Sequence, residues 1–164
     1  MQKEAVKTIQ KELDKKSALL VASVPNRFYL TGFETSDGYV FITKEAAVFL
    51  IDFRYVEKAK ETVKSCAVQL SVSPMEEIRA LCEQHGISHL YVENNYVSMS
   101  LQKDLAAAVK PTEIVADDRF DTLLRDLRSV KNETELSLMQ QAQKLTDDTF
   151  SYIVERIEAG RTER

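Results

Sequence analysis

Glycine is scarce in this 164-residue chain, and four glycines leave no room for a phosphate cradle of either the G-x-G-x-x-G or the P-loop kind. Histidine is scarcer: His85 and His89 alone occur, at an i, i+4 spacing that imitates a helical metal site. Gly86 stands directly after His85 as a helix stop, so the spacing predicts one imidazole at a helix end and the other on the following strand. Cys66 and Cys82 are isolated, not in a C-x-x-C arrangement, and read as two reduced, packed thiols. No apolar run approaches the roughly 18 residues needed to cross a bilayer. The first sixteen residues are rich in Lys, Glu and Gln and lack an apolar signal core, so a cytoplasmic location without a membrane partner is expected. Lys and Arg number 22 against 26 Asp and Glu, with the signs mixed along the chain. Without a basic stripe to neutralise phosphates, nucleic-acid binding is not expected.

What is present suits a folded domain with an appendage: 44% of the residues are hydrophobic, enough for a proper core. Val6, Ile9 and Leu13 lie at helical spacing, and Ser17 to Ser23 is a short apolar run suited to a buried strand. A turn or short helix should begin at Pro25. Asp37 to Thr43 and Ala46 to Ile51, parted by Lys44 and Glu45, predict a hairpin whose strands are apolar on both faces. Asp52 can cap a helix from Phe53 to about Val63, and a strand is predicted over Ala67 to Val72. Ser73, Pro74 and Glu76 form a capping-box start for a helix ending at Gly86. His89 to Glu93 is the next strand, Ser98 starts a helix through Val109, and Glu113 to Val115 is a last short strand. Strands alternating with helices after a hairpin predict a three-layer α/β/α domain with a mixed, mostly parallel sheet.

A short helix over Asp121 to Leu127 precedes the connector Arg128 to Lys131, and then comes the longest helix in the sequence. Asn132 can cap it, Glu135 occupies the capping-box position, and Gly160 supplies a left-handed stop, so it should span 133 to 159. Leu136, Met139, Ala142, Thr146, Phe150, Ile153 and Ile157 form an apolar stripe along it. Nothing downstream covers that stripe. Either the helix packs across the domain or onto a second copy, or the chain belongs to a larger protein.

Catalysis finds little support in these residues. The acidic pairs Asp117-Asp118 and Asp147-Asp148 have no nearby histidine to complete a metal shell and read as solvated charges. No serine or cysteine sits in a recognisable nucleophile elbow. No catalytic residue and no metal ligand is therefore assigned.

Two segments and a third between them carry a resemblance. Asn26 followed by Tyr29-Leu30-Thr31-Gly32-Phe33, then Ile51-Asp52-Phe53-Arg54-Tyr55, then Arg128, Lys131, Glu135, Ala142, Gly160, Thr162 and Glu163 occur in the order and spacing of the creatinase/prolidase branch of the pita-bread metallopeptidases. The chain resembles their N-terminal domain from about Ser17 onward. The resemblance implies a ribonuclease-H-like fold over residues 1–127, a linker at 128–131, and the first helix of a catalytic domain at 132–164. It implies that the parent is a cytoplasmic Xaa-Pro dipeptidase or aminopeptidase acting on proline-containing peptides. The pair of divalent metals, manganese, cobalt or zinc, then belongs to the catalytic domain, with no cofactor in this chain. The N-terminal domain of such enzymes narrows the active-site entrance and contributes to a homodimer. On that role the loop Phe33 to Tyr39 faces substrate, with Asp37 available to an N-terminal ammonium, Phe33 or Tyr39 as apolar wall, and Arg54 available to a carboxylate. The local alternatives are core packing for Phe33 and Tyr39, a turn for Asp37, and a surface ion pair for Arg54. Other members of the scaffold imply two rival readings, a non-enzymatic peptide- or protein-binding module and another reaction such as creatine hydrolysis.

Overall fold

The computed structural model describes residues 2–162, and within them six short apolar strands join into one sheet. They are β1 (Ser17–Val21), β2 (Tyr39–Thr43), β3 (Ala47–Ile51), β4 (Ala67–Leu70), β5 (His89–Val92) and β6 (Glu113–Val115), in the order β4-β3-β2-β1-β5-β6. β2 runs antiparallel to β1 and β3, while the β1/β5, β3/β4 and β5/β6 pairs are parallel. The sheet is mixed and mostly parallel, as the alternating pattern predicts. Its hairpin closes where Thr43 Oγ1 accepts the Ala46 N–H at 2.9 Å.

Period-2 alternation sends successive side chains to opposite faces, and both faces are covered. Leu19, Val21, Val40, Ile42, Phe49 and Ile51 meet α1 (Gln2–Glu12), α2 (Val24–Thr31), α3 (Val56–Thr62) and α6 (Asp118–Ser129) in one core layer. Ala18, Leu20, Phe41, Leu50, Leu90 and Val92 meet α4 (Pro74–His85) and α5 (Met99–Ala108) in the other. Each fully buried Leu, Ile or Phe contributes about 1.5 to 3 kcal/mol of transfer free energy, which is what holds helices this short in place.

The helix starts are partly those the sequence predicts. Ser98 caps α5 by accepting the Leu101 N–H at 3.1 Å. Ser73 makes no side-chain cap for α4; Glu77 instead reaches back and accepts from the Val72 and Ser73 amides at 2.8 and 3.1 Å. Asp52 accepts the Tyr55 and Val56 amides through its carbonyl in a turn, so α3 begins at Val56 and not at Phe53.

Two compact units are present, Met1–Leu127 and Arg128–Arg164. The second contains α7 (Glu133–Val154), started by the expected capping box: Asn132 Oδ1 accepts the Glu135 N–H at 3.0 Å, and Glu135 accepts the Asn132 N–H at 2.9 Å. The helix stops five residues short of the expected 159. Gly160 has the positive φ of a stop, +91°, but Arg156 and Ile157 already bond back only three residues. No residue of α7 is buried, so no packing holds a final turn built on the β-branched pair Ile153 and Val154. Glu163, which completes the resemblance's last motif, lies outside the described residues.

Candidate functional site

β1, β3, β4, β5 and β6 all point one way, so their C-terminal ends gather at one edge of the sheet together with the start of β2. After β1 the chain turns toward β2, and after β5 it turns toward β6. The crevice between the ends of β1 and β5 is thus the switch point at which open α/β sheets bind ligands. The N-terminus of α2 opens onto it, and its unsatisfied amides attract an anion.

The chain supplies that anion itself. Glu93, directly after β5 and 1% exposed, accepts the Ala22 and Ser23 amides on Oε2 at 2.6 and 2.8 Å. Its Oε1 accepts the Ser23 hydroxyl at 2.5 Å and the Asn26 amide at 2.7 Å. A carboxylate holding four donors, as this one does, is a structural tie whose two oxygens are already engaged. The sequence places Glu93 only at the end of a predicted strand and does not single it out. The available signal was a charged residue closing an otherwise apolar run, together with Asn26 in the first motif.

Arg27, one residue on, is also buried, and burial pulls its pKa below the ordinary guanidinium value. It donates to the carbonyls of Gly38 and, at 3.1 Å, Thr35. Within the loop it grips, Thr35 Oγ1 accepts the Asp37 N–H at 3.1 Å and Asp37 Oδ1 accepts the Gly38 N–H at 2.7 Å. Asp37 is exposed, so its second carboxylate oxygen faces water at the rim.

Around this loop stand the other residues the sequence singled out. Phe33 is half-buried and meets Tyr55 edge-on, with ring centroids 6.4 Å apart. Arg54 lies over the same Tyr55 ring, 5.2 Å from its centroid. Its fork is spent on Asp52: Nε donates to Oδ2 at 2.9 Å, and Nη2 donates to the same oxygen. Hydrogen bonding to Asp52 pushes the Arg54 pKa up, with a smaller contribution from the Asp37 charge, and the same hydrogen bond pulls the Asp52 carboxyl down. Tyr39 is half-buried, and burial, then the Asp37 charge, raises its phenol. Phe33 packs on the α2/α3 side of the sheet and Tyr39 on the α4 side. The four residues share an edge, while the two rings belong to different core layers. Tyr55, which ends the second motif and has no site role assigned from the sequence, links Phe33 to Arg54.

The same edge is the apolar one. Phe53, Val72, Tyr96 and Met99, from three successive strand-to-helix loops and the start of α5, are 77%, 82%, 52% and 75% exposed. His85 ends α4 and His89 opens β5, so the two imidazoles do not share a helix face. Among the described residues no three His, Cys, Asp or Glu side chains come together as a group that could hold a metal ion. Cys66 and Cys82 are free, and burial raises both thiols to about 11. No helix among the described residues is long and apolar enough to cross a membrane.

Residues 6–130 match the creatinase/prolidase N-terminal domain family, and the chain belongs to that family. Over 85% of its length it is 32% identical to a putative Xaa-Pro aminopeptidase of Mycoplasma genitalium, of which it covers 38%. It superposes on the prolidase of Pyrococcus horikoshii with a TM-score of 0.85 and 29% identity, over 98% of this chain and 45% of that one. An aminopeptidase P from Streptococcus thermophilus gives a TM-score of 0.66 at 31% identity, over 76% of this chain and 95% of that one. The chain spans 38% to 44% of the length of the curated relatives it matches.

Proposed function

We propose that this chain is the N-terminal domain of a cytoplasmic Xaa-Pro metallopeptidase, a proline dipeptidase or aminopeptidase, in which it restricts substrates and forms dimer contacts. In this reading a C-terminal pita-bread domain hydrolyses the peptide bond before proline, and its two divalent metals, manganese, cobalt or zinc, activate the attacking water. The observation that carries the reading is the family match over 6–130 in a chain that spans only 38% to 44% of its curated relatives. Residues 128–131 then join the domains, and α7 begins the catalytic one. Its face of Leu136, Met139, Phe150 and Ile153, each about half exposed or more, supports that placement, because such a stripe gains by burial.

The loop from Phe33 to Tyr39 is the part offered to substrate. Asp37 presents a free carboxylate oxygen to an N-terminal ammonium, and Phe33 with Tyr55 forms an apolar wall beside it. Arg54 reaches a substrate carboxylate only by sharing or leaving Asp52. The test is the protein carrying this domain and the catalytic domain, assayed with manganese. Asp37→Asn is expected to raise KM for free-amine Xaa-Pro peptides about tenfold with kcat little changed, the effect of losing one charge-assisted hydrogen bond. Unchanged KM would remove the loop from the substrate path. Absence of Xaa-Pro hydrolysis by that protein, with peptide binding retained, would favour the non-enzymatic binding module.

A further inference from the structure

We infer that Arg27 is a positioning residue, a buried fork that sets the shape of the 33–39 loop and thereby the placement of Asp37. The inference deepens the proposed role of that loop in substrate restriction and rests on it only for its functional meaning.

Arg27 is placed where a cation is costly. It is 2% exposed, and it stands in the first turn of α2, where the helix dipole disfavours positive charge. Burial also lowers its pKa, the direction expected of a cation out of water. An aliphatic side chain of similar length would fill the space without either penalty. What such a side chain cannot do is join two carbonyls. The Arg27 guanidinium donates through Nη1 to Gly38 and through Nη2 to Thr35, so it closes the loop at both ends of the Thr35 to Gly38 segment. Its Nε finds no hydrogen-bond partner among the described residues, so the fork is spent on the loop.

The other side of the loop is fixed as firmly. Gly38 has φ +113°, and a Cβ there would lie 2.6 Å from the Leu50 carbonyl oxygen and 3.1 Å from the Phe49 ring. The loop is therefore pinned between β3 and Arg27. Opposite charges keep the guanidinium in place without taking its fork: Glu93, held by the β1 end and α2, and Asp37 both act on it electrostatically. Because Asp37 lies between the two gripped carbonyls, loosening either grip moves the carboxylate that the rim presents.

Lysine keeps the charge and roughly the length but offers one ammonium in place of a planar fork, so it cannot span both carbonyls. Methionine removes the charge and its desolvation cost, which makes it the variant safest for folding. The experiment is residue-resolved hydrogen exchange on the purified 164-residue chain and its Arg27→Lys and Arg27→Met variants. Both variants are expected to exchange the Asp37 and Gly38 amides at least tenfold faster, with the amides of β1 and β5 within twofold of the parent. Unchanged exchange at Asp37 and Gly38 would overturn the inference. So would equal acceleration everywhere, which would make Arg27 a general stabiliser. The readout needs no catalysis, so failure of the substrate-restriction reading, seen as unchanged KM in Asp37→Asn, is a separate result.

Discussion

Removing the Glu93 carboxylate should cost this fold a large part of its stability. In Glu93→Ala the amides of Ala22 and Ser23, the Ser23 hydroxyl and the Asn26 amide lose their acceptor together, in a site where all of these residues are buried. A buried donor left unmade costs about 1 to 3 kcal/mol, and because neighbouring losses do not add fully the four together should cost about 4 kcal/mol, well short of four times the upper figure. A whole domain has only about 5 to 15 kcal/mol. Glu93→Gln is the sharper test, because it keeps the volume. Its amide turns one end from acceptor to donor against donors already there, which should cost about 2 to 3 kcal/mol. Urea unfolding can be followed by near-ultraviolet circular dichroism, since five of the six tyrosines lie before residue 128 and so report on the first unit. The midpoint should fall with the slope unchanged. A loss below about 1 kcal/mol for Glu93→Gln would refute the reasoning that this carboxylate ties β1, α2 and β5 together.

Gly38→Ala should destabilise by about 1 to 3 kcal/mol in the same assay, because φ +113° and a Cβ 2.6 Å from a backbone oxygen leave no cheap relaxation. The thiols of Cys66 and Cys82, raised to about 11, bind protons more tightly folded than unfolded, so their stabilisation is present below pH 9 and lost as pH rises toward 11, and the raised Tyr39 phenol adds to the loss only above its ordinary value of 10.0. The urea midpoint should drop across that window, and Cys82→Ala should remove part of the drop; a flat profile from 9 to 11 would contradict the burial of these groups. The apolar face of α7 should drive self-association of the 164-residue chain, and Ile153→Glu should yield a monomer in sedimentation velocity, whereas a parent chain already monomeric would count against that face as a docking surface.

Local chemistry explains which parts of this structure were readable from sequence. β1 through β6 were legible because their apolar, β-branched runs are bounded by turn and cap residues, and the Asn132/Glu135 box marked the start of α7 because both partners lie within one turn. Helix ends were less so. Ser73 and Glu76 fit a capping box on paper, yet Glu77 does the work, bonding the Ser71 hydroxyl as well as two amides. The distal turn of α7 failed because its signal, Gly160, stands past residues that are all exposed.

The site divides in the same way. Arg54 with Asp52 two residues away was a foreseeable surface pair, and Asp37 in a turn was foreseeable from its neighbours. Glu93 was not, because its partners lie 67 to 71 residues earlier in the chain and only the β1/β5 pairing brings them together. Arg27 was hidden for a related reason. Nothing in an aromatic-rich turn says that its one cation is buried and holds two carbonyls across the following loop.

The proposed function gives this chain the shaping of the substrate entrance and a pita-bread domain the chemistry. Its most direct test is Xaa-Pro hydrolysis by the purified 164-residue chain, with manganese, cobalt or zinc supplied, beside the longer protein that joins this domain to a pita-bread domain. No turnover is expected from the 164-residue chain, and metal-dependent cleavage before proline is expected from the longer protein. Metal-dependent turnover that copurifies with the 164-residue chain would contradict it.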